Sequence, residues 1–457
     1  MLQTINNFLY SYILIILLVL TGIYFTYKTK FVQFRFLKNG IKTITEKTES
    51  NKISSFQALM ISTASRVGTG NIAGVANAIA IGGAGSVFWM WLIAIIGSAT
   101  AFIESTLAQI YKEKDGDLYR GGPAYYMEKA LNKRWLGIIF SILLIICFAF
   151  GFNGLQAFNI ADATTIYVQN ENIKIIIGIV LMILTGITIF GGIHRIGVIS
   201  SYIVPVMAII YIIIGIFVLL LNIQKIPDVL FDIFNQALNI QAFSGGVIGV
   251  AIMQGIKRGL FSNEAGMGSA PNAAATADVT HPVKQGLVQI ISVFIDTLII
   301  CSTTAFILLL FGTETKVQGI GYMQEALYSF FGSFGLLFIT LAIYLFAFTS
   351  IIGNYSYAES NFKFITMNKK HLFLFRIFCL ISVFIGAINN LELAWTIADI
   401  SMGLMALVNI IVIIKLGHIA FIVLKDYEQQ INEGKNPTFN PKKLGIKNVE
   451  EGIWEEV

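Results

Sequence analysis

The sequence predicts an all-α polytopic membrane protein of eleven transmembrane helices: one extra N-terminal helix, then a core of five plus five spans in inverted repeats with two broken helices. Three observations carry that expectation. Of 457 residues, 56% are hydrophobic and only 12% charged, whereas about a quarter of a soluble domain is charged. Eleven segments are long and apolar enough to span hydrocarbon, which takes about 20 residues. Two of them are interrupted by glycines and polar side chains, a break tolerated only where the backbone is buried in protein or lines a cavity.

In order, the segments cover residues 8–27, 56–81, 86–110, 136–163, 174–190, 197–221, 243–277, 286–311, 334–360, 372–389 and 392–415. The first lacks a basic leader and a clear small-residue cleavage site, so it reads as a retained span rather than a signal peptide. Segment 243–277 is too long and too polar for one straight helix, and a split near Gly259 to Gly268 gives two half-helices. Stretches 227–241 and 319–331 read as short helices on the outer surface. The tail from Tyr427 to Val457 is polar and expected to be loosely ordered.

Lysines and arginines set the orientation, because they accumulate in cytoplasmic loops. Loop 28–55 carries Lys28, Lys30, Arg35, Lys38, Lys42, Lys47 and Lys52, and loop 112–134 carries Lys112, Lys114, Arg120, Lys129, Lys133 and Arg134. The tail adds Lys415, Lys425, Lys435, Lys442, Lys443 and Lys447, while the opposite loops hold only Lys174, Lys225 and Lys316. The N-terminus is therefore expected outside and the C-terminus in the cytoplasm of a multi-pass plasma-membrane protein. The same bias accounts for most of the net charge of +5 without an anionic partner.

Setting the first span aside leaves ten, and an odd-numbered half must insert upside down relative to its partner. The expected organisation is a peripheral N-terminal helix (1–30), a cytoplasmic loop (31–55), a first repeat (56–241), a second repeat (242–416) and a cytoplasmic tail (417–457). The first span of each repeat is then a broken one. Such paired interruptions are the sequence pointer to a transporter binding site.

The first break reads SRVGTGNIAG, Ser65 to Gly74. Glycine lets backbone leave helical bonding, and a half-helix starting near Gly70 presents free N–H groups and a positive dipole end that favour a carboxylate. Carbonyls ending the preceding half, at Ala64 and Val67, suit a hard cation. Two other readings compete. The string fits a dinucleotide fingerprint but has no strand-helix unit around it, and Gly70 with Gly74 forms a small-xxx-small pair for helix packing. Arg66 and Asn71 inside the span favour a functional break, since intramembrane polarity is costly.

The second break, QGIKRGLFSNEAGMGS, spans Gln254 to Ser269. Ser262, Asn263 and Gly266 suit a small zwitterion, whereas Lys257, Arg258 and Glu264 read equally well as structural latches pairing among themselves or with Arg66. Asp296 lies mid-span and is the candidate for a second cation site or a proton carrier. Glu104, Asp162, Glu359 and Glu392 lie near span ends, where reaching to the interface is the simpler expectation. Trp395, in the last span, is a possible pocket wall. Thr349 and Ser350 sit in an apolar span, where hydroxyls most often bond back to their own helix.

Several function classes are excluded. Cys147, Cys301 and Cys379 are isolated, so neither disulfides nor a zinc site is available. His194, His281, His371 and His418 are scattered near cytoplasmic span ends. There is no nucleic-acid footprint, no HExxH or GxSxG and no credible nucleophile, so an enzyme is not expected. An ion channel, the rival from another class, would need a continuous polar lining.

The strings GTGNIAGVANAI, GGAGSVFWMW, GGPAYYM, GFNGLQAFNI and RGLFSNEAGMGSAPNAAATA together resemble the alanine/glycine:cation symporter family, and the resemblance runs from about Phe31 to Leu416. It implies the LeuT-type fold and uptake of alanine or glycine coupled to sodium, or alternatively to protons, with no organic cofactor and no obligate protein partner beyond the lipid bilayer. By resemblance, Thr69, Gly70 and Asn71 hold the substrate carboxylate, and Phe152, Asn153, Gln156, Ser262, Asn263 and Gly266 complete the pocket. It also turns Thr349 and Ser350 into sodium ligands, joined by the carbonyls of Ala64, Val67 and Phe346.

Overall fold

A computed structural model describes residues 6, 8–49, 51–168, 170, 172–238, 247–313, 317–388 and 391–454. Helices follow in the order α1 (Ile15–Lys28), α2 (Leu37–Ile44), α3 (Ser55–Arg66), α4 (Ala73–Gly82), α5 (Gly85–Ile110), α6 (Pro123–Lys129), α7 (Arg134–Leu144), α8 (Asn153–Thr165), α9 (Asn172–Ile189) and α10 (Gly192–Leu221). The second half contributes α11 (Ile226–Leu238), α12 (Val247–Asn263), α13 (Pro271–Ala274), α14 (Pro282–Val293), α15 (Ser302–Phe311), α16 (Ile320–Phe331), α17 (Ser333–Ile365), α18 (Lys369–Ile388) and α19 (Leu391–Asn432). Short π-helical stretches precede α1 (Leu9–Leu14), join α7 to α8 (Ile145–Phe152) and join α14 to α15 (Phe294–Cys301).

Eight of the described helical stretches are long and apolar enough to cross a membrane. The other three predicted spans coincide with α1 and with the two interrupted helices, α3/α4 and α12/α13. Helix α1 has only 14 residues, and the other two are broken, so none of the three is an unbroken helix of spanning length. Residues 239–246, where the predicted boundary between repeats falls, lie outside the described residues.

Local chemistry sets the element ends. Ser54 and Gln57 form a reciprocal cap at the start of α3, with Gln57 N–H donating to Ser54 Oγ at 3.1 Å and Ser54 N–H to Gln57 Oε1 at 3.0 Å, which satisfies donors a helix start leaves free. Pro282 opens α14, where its missing N–H costs nothing. Large apolar side chains at helical spacing on α10, among them Val206, Ile209, Ile213 and Leu220, are more than half exposed. They form an outward face suited to lipid.

Two features depart from expectation. Strands β1 (Glu113–Asp115) and β2 (Leu118–Arg120) pair antiparallel in an otherwise helical chain, because Gly116, at φ +64°, turns the loop in two residues. The tail is also ordered through its described part. Helix α19 passes the predicted end at 415 and runs to Asn432, beyond which Phe439 and Trp454 are buried with ring centroids 5.2 Å apart. Phe439 N–H bonds Thr280 O at 2.9 Å, and Lys112 Nζ lies 4.5 Å from the Trp454 ring. A few aromatics within a polar segment anchor it.

Candidate functional site

The first interruption begins where α3 ends at Arg66, continues through a 3-10 turn (Thr69–Asn71) and closes at Ala73. Gly68 and Gly70 are required by close approach. A Cβ on Gly68 would collide with Ser350 Oγ and come within 2.7 Å of Gln156 Nε2, and one on Gly70 would strike the Phe261 ring. Thr69 is held at both ends, its N–H donating to Gln156 Oε1 at 2.9 Å and its hydroxyl accepting from Asn159 Nδ2 at 2.8 Å.

The second interruption falls between Asn263 and Pro271. Glu264, Gly266 and Gly268 have φ of +57°, +85° and +83°, and a non-glycine residue there is uncommon. Gly259, where the split was expected to begin, is instead inside α12, with its Cα face against α5: a Cβ would lie 2.7 Å from Ile93. It is a packing glycine.

What replaces the lost helical bonds is Glu104. Its two carboxylate oxygens accept the N–H groups of Gly266 at 3.2 Å and Gly268 at 3.1 Å, and Asn409 Nδ2 donates to Glu104 Oε2 at 2.8 Å and to Gly266 O at 3.0 Å. Glu104 is 0% exposed, so the expectation that it reaches to the interface is wrong: four hydrogen bonds hold it and its neighbours at depth. His281 is likewise buried rather than interfacial, accepting Val283 N–H at the start of α14.

The two interruptions meet at Asn71. Its Nδ2 contacts Asp296 Oδ1 at 2.6 Å and Ser262 Oγ at 3.0 Å, while its Oδ1 accepts Gly68 N–H at 3.0 Å. Asp296 also accepts from Ser262 Oγ at 2.6 Å and Thr297 Oγ1 at 2.9 Å. Cys301 Sγ lies 3.2 Å from Asn71 Nδ2 and 3.1 Å from Ser262 Oγ. Residues from three helices thus converge on one buried carboxylate.

An aromatic wall stands beside this junction. Ring centroids separate Phe148 from Phe152 by 4.7 Å, Phe152 from Phe261 by 4.6 Å and Phe261 from Trp395 by 5.1 Å. Phe152 ends the π-helical stretch Ile145–Phe152, a local widening of the helix common at functional sites.

The oxygens expected to hold sodium are gathered in part. Ser350 Oγ donates to Ala64 O at 2.9 Å, across helices. Thr349 Oγ1 bonds back to Leu345 O at 2.9 Å and Phe346 O at 3.0 Å, so its hydroxyl follows the back-bonding alternative while remaining beside the Phe346 carbonyl. Val67 is fully buried at the end of α3. Neutral oxygens from α3 and α17 are the donor type a hard alkali ion takes.

Other expected residues face elsewhere. Asn153 Oδ1 accepts from Asn354 Nδ2 at 3.1 Å, and Asn263 Oδ1 accepts the N–H of Ala265. Gly266 is engaged by Glu104 and Asn409. Lys257 and Arg258 both pair with Asp399, rather than with Glu264 or Arg66. Glu264 instead accepts from Ser65 Oγ at 2.9 Å and Ser269 Oγ at 2.7 Å, and Ser65 Oγ also contacts Asn354 Oδ1 at 2.7 Å. Glu359 pairs with Lys363 and Arg376 near the C-terminal end of α17. The side chain of Glu392 lies outside the described residues.

Sequence reasoning missed Glu104, Asn159, Gln289 and Asn354. A signal existed for Gln289. Gln285, Gln289, Ser292 and Asp296 recur at helical spacing, and they contact Ser55, Arg66 with Ser62, Thr63 and Asn71 in turn. Arg66 Nη1 meets Gln289 Oε1 at 3.0 Å. That polar stripe zips α14 and the following π-helical turn along the first broken helix.

The profile of the sodium:alanine symporter family matches residues 1–441. The chain belongs to the sodium:alanine symporter family. Among relatives of this symporter, the amino-acid carrier protein AlsT of Bacillus subtilis is 48% identical over 455 residues, covering 99% of this chain and 96% of the relative. The probable sodium/glutamine symporter GlnT of the same organism is 48% identical, covering 95% and 91%. The sodium/alanine symporter AgcS of Methanococcus maripaludis is 38% identical, covering 95% and 98%. The chain is therefore a membrane transporter for amino-acid symport, coupled to sodium or protons.

Proposed function

We propose that this symporter takes up small neutral amino acids, alanine or glycine, with sodium as the coupling ion, by alternating access through eleven spans arranged as a peripheral helix and a five-plus-five inverted repeat of LeuT type. The plasma membrane is its site, with the N-terminus outside and the C-terminus in the cytoplasm. The supporting observation is the junction at Asn71. Both interruptions meet there on Asp296 and Ser262, so an occupant of one break is felt by the other.

In this reading Thr69, Gly70 and Asn71 frame the substrate carboxylate, Ser262 and Asp296 stand opposite, and Phe152 and Phe261 limit the side chain. Gln156 braces Thr69, and Asn153, Asn263 and Gly266 hold the surrounding segments in place through their hydrogen bonds. Sodium sits among Ala64, Val67, Phe346, Thr349 and Ser350, tying α3 to α17, and Asp296 is the second cation or proton site. Ion and substrate then strengthen one another by the same factor. One charge crossing 100 mV supplies about 2.3 kcal/mol.

Glutamine is the second reading, favoured by the relative named as a probable sodium/glutamine symporter at 48% identity. Radiolabelled uptake into proteoliposomes, with sodium and proton gradients imposed separately and alanine, glycine, serine and glutamine as competitors, tests class, ion and substrate together. Sodium-driven alanine uptake inhibited by glycine is expected. Uptake driven by protons alone, or inhibited by glutamine only, would overturn it.

A further inference from the structure

Lys257 and Arg258 share one carboxylate. Lys257 Nζ lies 2.5 Å from Asp399 Oδ2, and the Arg258 guanidinium reaches Asp399 with Nη1 at 3.1 Å and Nη2 at 3.4 Å. All three residues are more than nine-tenths buried, at 8%, 6% and 2% exposure. Two cations therefore face one anion among the described residues, and an uncompensated buried charge is unfavourable.

Two donors beside the cluster have no partner. Arg258 Nε and Trp395 Nε1 are buried and unbonded, and the guanidinium carbon lies 4.2 Å from the Trp395 ring centroid. Buried donors of this kind call for an acceptor. Gly74 faces both groups without crowding them: a Cβ there would stand in ordinary van der Waals contact, 3.9 Å from Arg258 Cδ and from Trp395 Cη2. The remaining neighbours offer little negative charge: Tyr10 donates its hydroxyl to Asp399 O at 3.0 Å, and its ring lies under Lys257 Nζ at 4.9 Å.

We propose that Lys257, Arg258 and Trp395 form a binding site for a singly charged anion, filled either by chloride or by the carboxylate of the incoming amino acid. Its place in transport rests on the orientation given above, which puts this half of α12 on the outer side of the break. Trp395 touches Phe261, the ring that backs Gly70, so an anion held here waits one aromatic layer from the junction.

The test uses the full-length protein with two variants. Lys257→Gln removes one charge, and Trp395→Phe removes the unbonded N–H while keeping a ring. Melting of the purified protein in sodium chloride against sodium gluconate reads the site without transport, and alanine uptake reads the other source. If chloride is the occupant, wild type melts several degrees higher in chloride, uptake falls several-fold in gluconate, and both variants lose these responses. If the carboxylate is the occupant, the salts are equivalent and both variants raise the KM for alanine about tenfold with little change in maximal rate. Variants matching wild type in every response would overturn the proposal, and Trp395→Phe decides alone if Lys257→Gln fails to fold. Wild-type vesicles that take up no amino acid would sink the symport reading instead, leaving the melting comparison in sodium chloride, sodium gluconate and alanine to decide the anion site.

Discussion

Asn71 and Asp296 fasten the first interrupted helix to the π-helical stretch between α14 and α15, with Nδ2 and Oδ1 2.6 Å apart and no exposure at either residue. A buried hydrogen bond to a charged group is worth about 1.5–3 kcal/mol. Asn71→Ala should therefore cut amino-acid uptake about 10- to 100-fold in protein that still elutes as a folded species. Wild-type uptake by that variant would remove Asn71 from the site.

Ser350 and Thr349 should separate in their sodium dependence. The Ser350 hydroxyl crosses to Ala64 O at 2.9 Å, whereas Thr349 bonds within its own helix. Ser350→Ala is expected to raise the sodium concentration for half-maximal uptake about tenfold, and Thr349→Ala to raise it by less. Equal, unchanged sodium curves would assign both hydroxyls to helix back-bonding.

Gly70 is where overpacking reads out pocket geometry. Its missing side chain is occupied by the Phe261 ring, and inserting a methyl group into a packed site costs about 1–3 kcal/mol. Gly70→Ala should lower uptake at least tenfold, and Phe261→Leu in that background should restore part of it. A double variant no better than the single would place the defect in the backbone rather than in the ring contact.

The docked tail should respond to pH through Lys112. Burial pushes its ammonium down to about 7 from the ordinary 10.5, beneath the rings of Tyr119 and Trp454 and with Nζ donating to Ala277 O at 3.0 Å. Docked protein then binds fewer protons than undocked protein between those values, so docking strengthens as pH rises from about 7 towards 10.5 and is weakest below 7. The melting midpoint should climb between pH 7 and 9, and Lys112→Met should flatten that slope.

Much of the fold was legible because hydrocarbon leaves few options: apolar length, basic loops and glycine interruptions located α5, α10, α17 and both breaks. Pairing across the fold was not legible. Glu104 looked interfacial because its partners, the N–H groups of Gly266 and Gly268, lie 162 and 164 positions away and leave no mark in local composition. The partner of Arg66 was hidden for the same reason, Gln289 lying 223 positions away. The π-helical turns escaped too, since Ile145–Phe152 has the composition of an ordinary apolar helix. The tail was misread because three buried aromatics, Tyr427, Phe439 and Trp454, are few against its charges.

The carboxylate of Glu104 has a consequence for biosynthesis. The turn from Glu264 to Ser269 owes its shape to acceptors on α5, which the ribosome delivers some 160 residues earlier, as the separation of Glu104 and Gly266 by 162 positions records. A half-molecule starting at α12 would lack that template. The turn therefore reaches this hydrogen-bonded form only with α5 beside it.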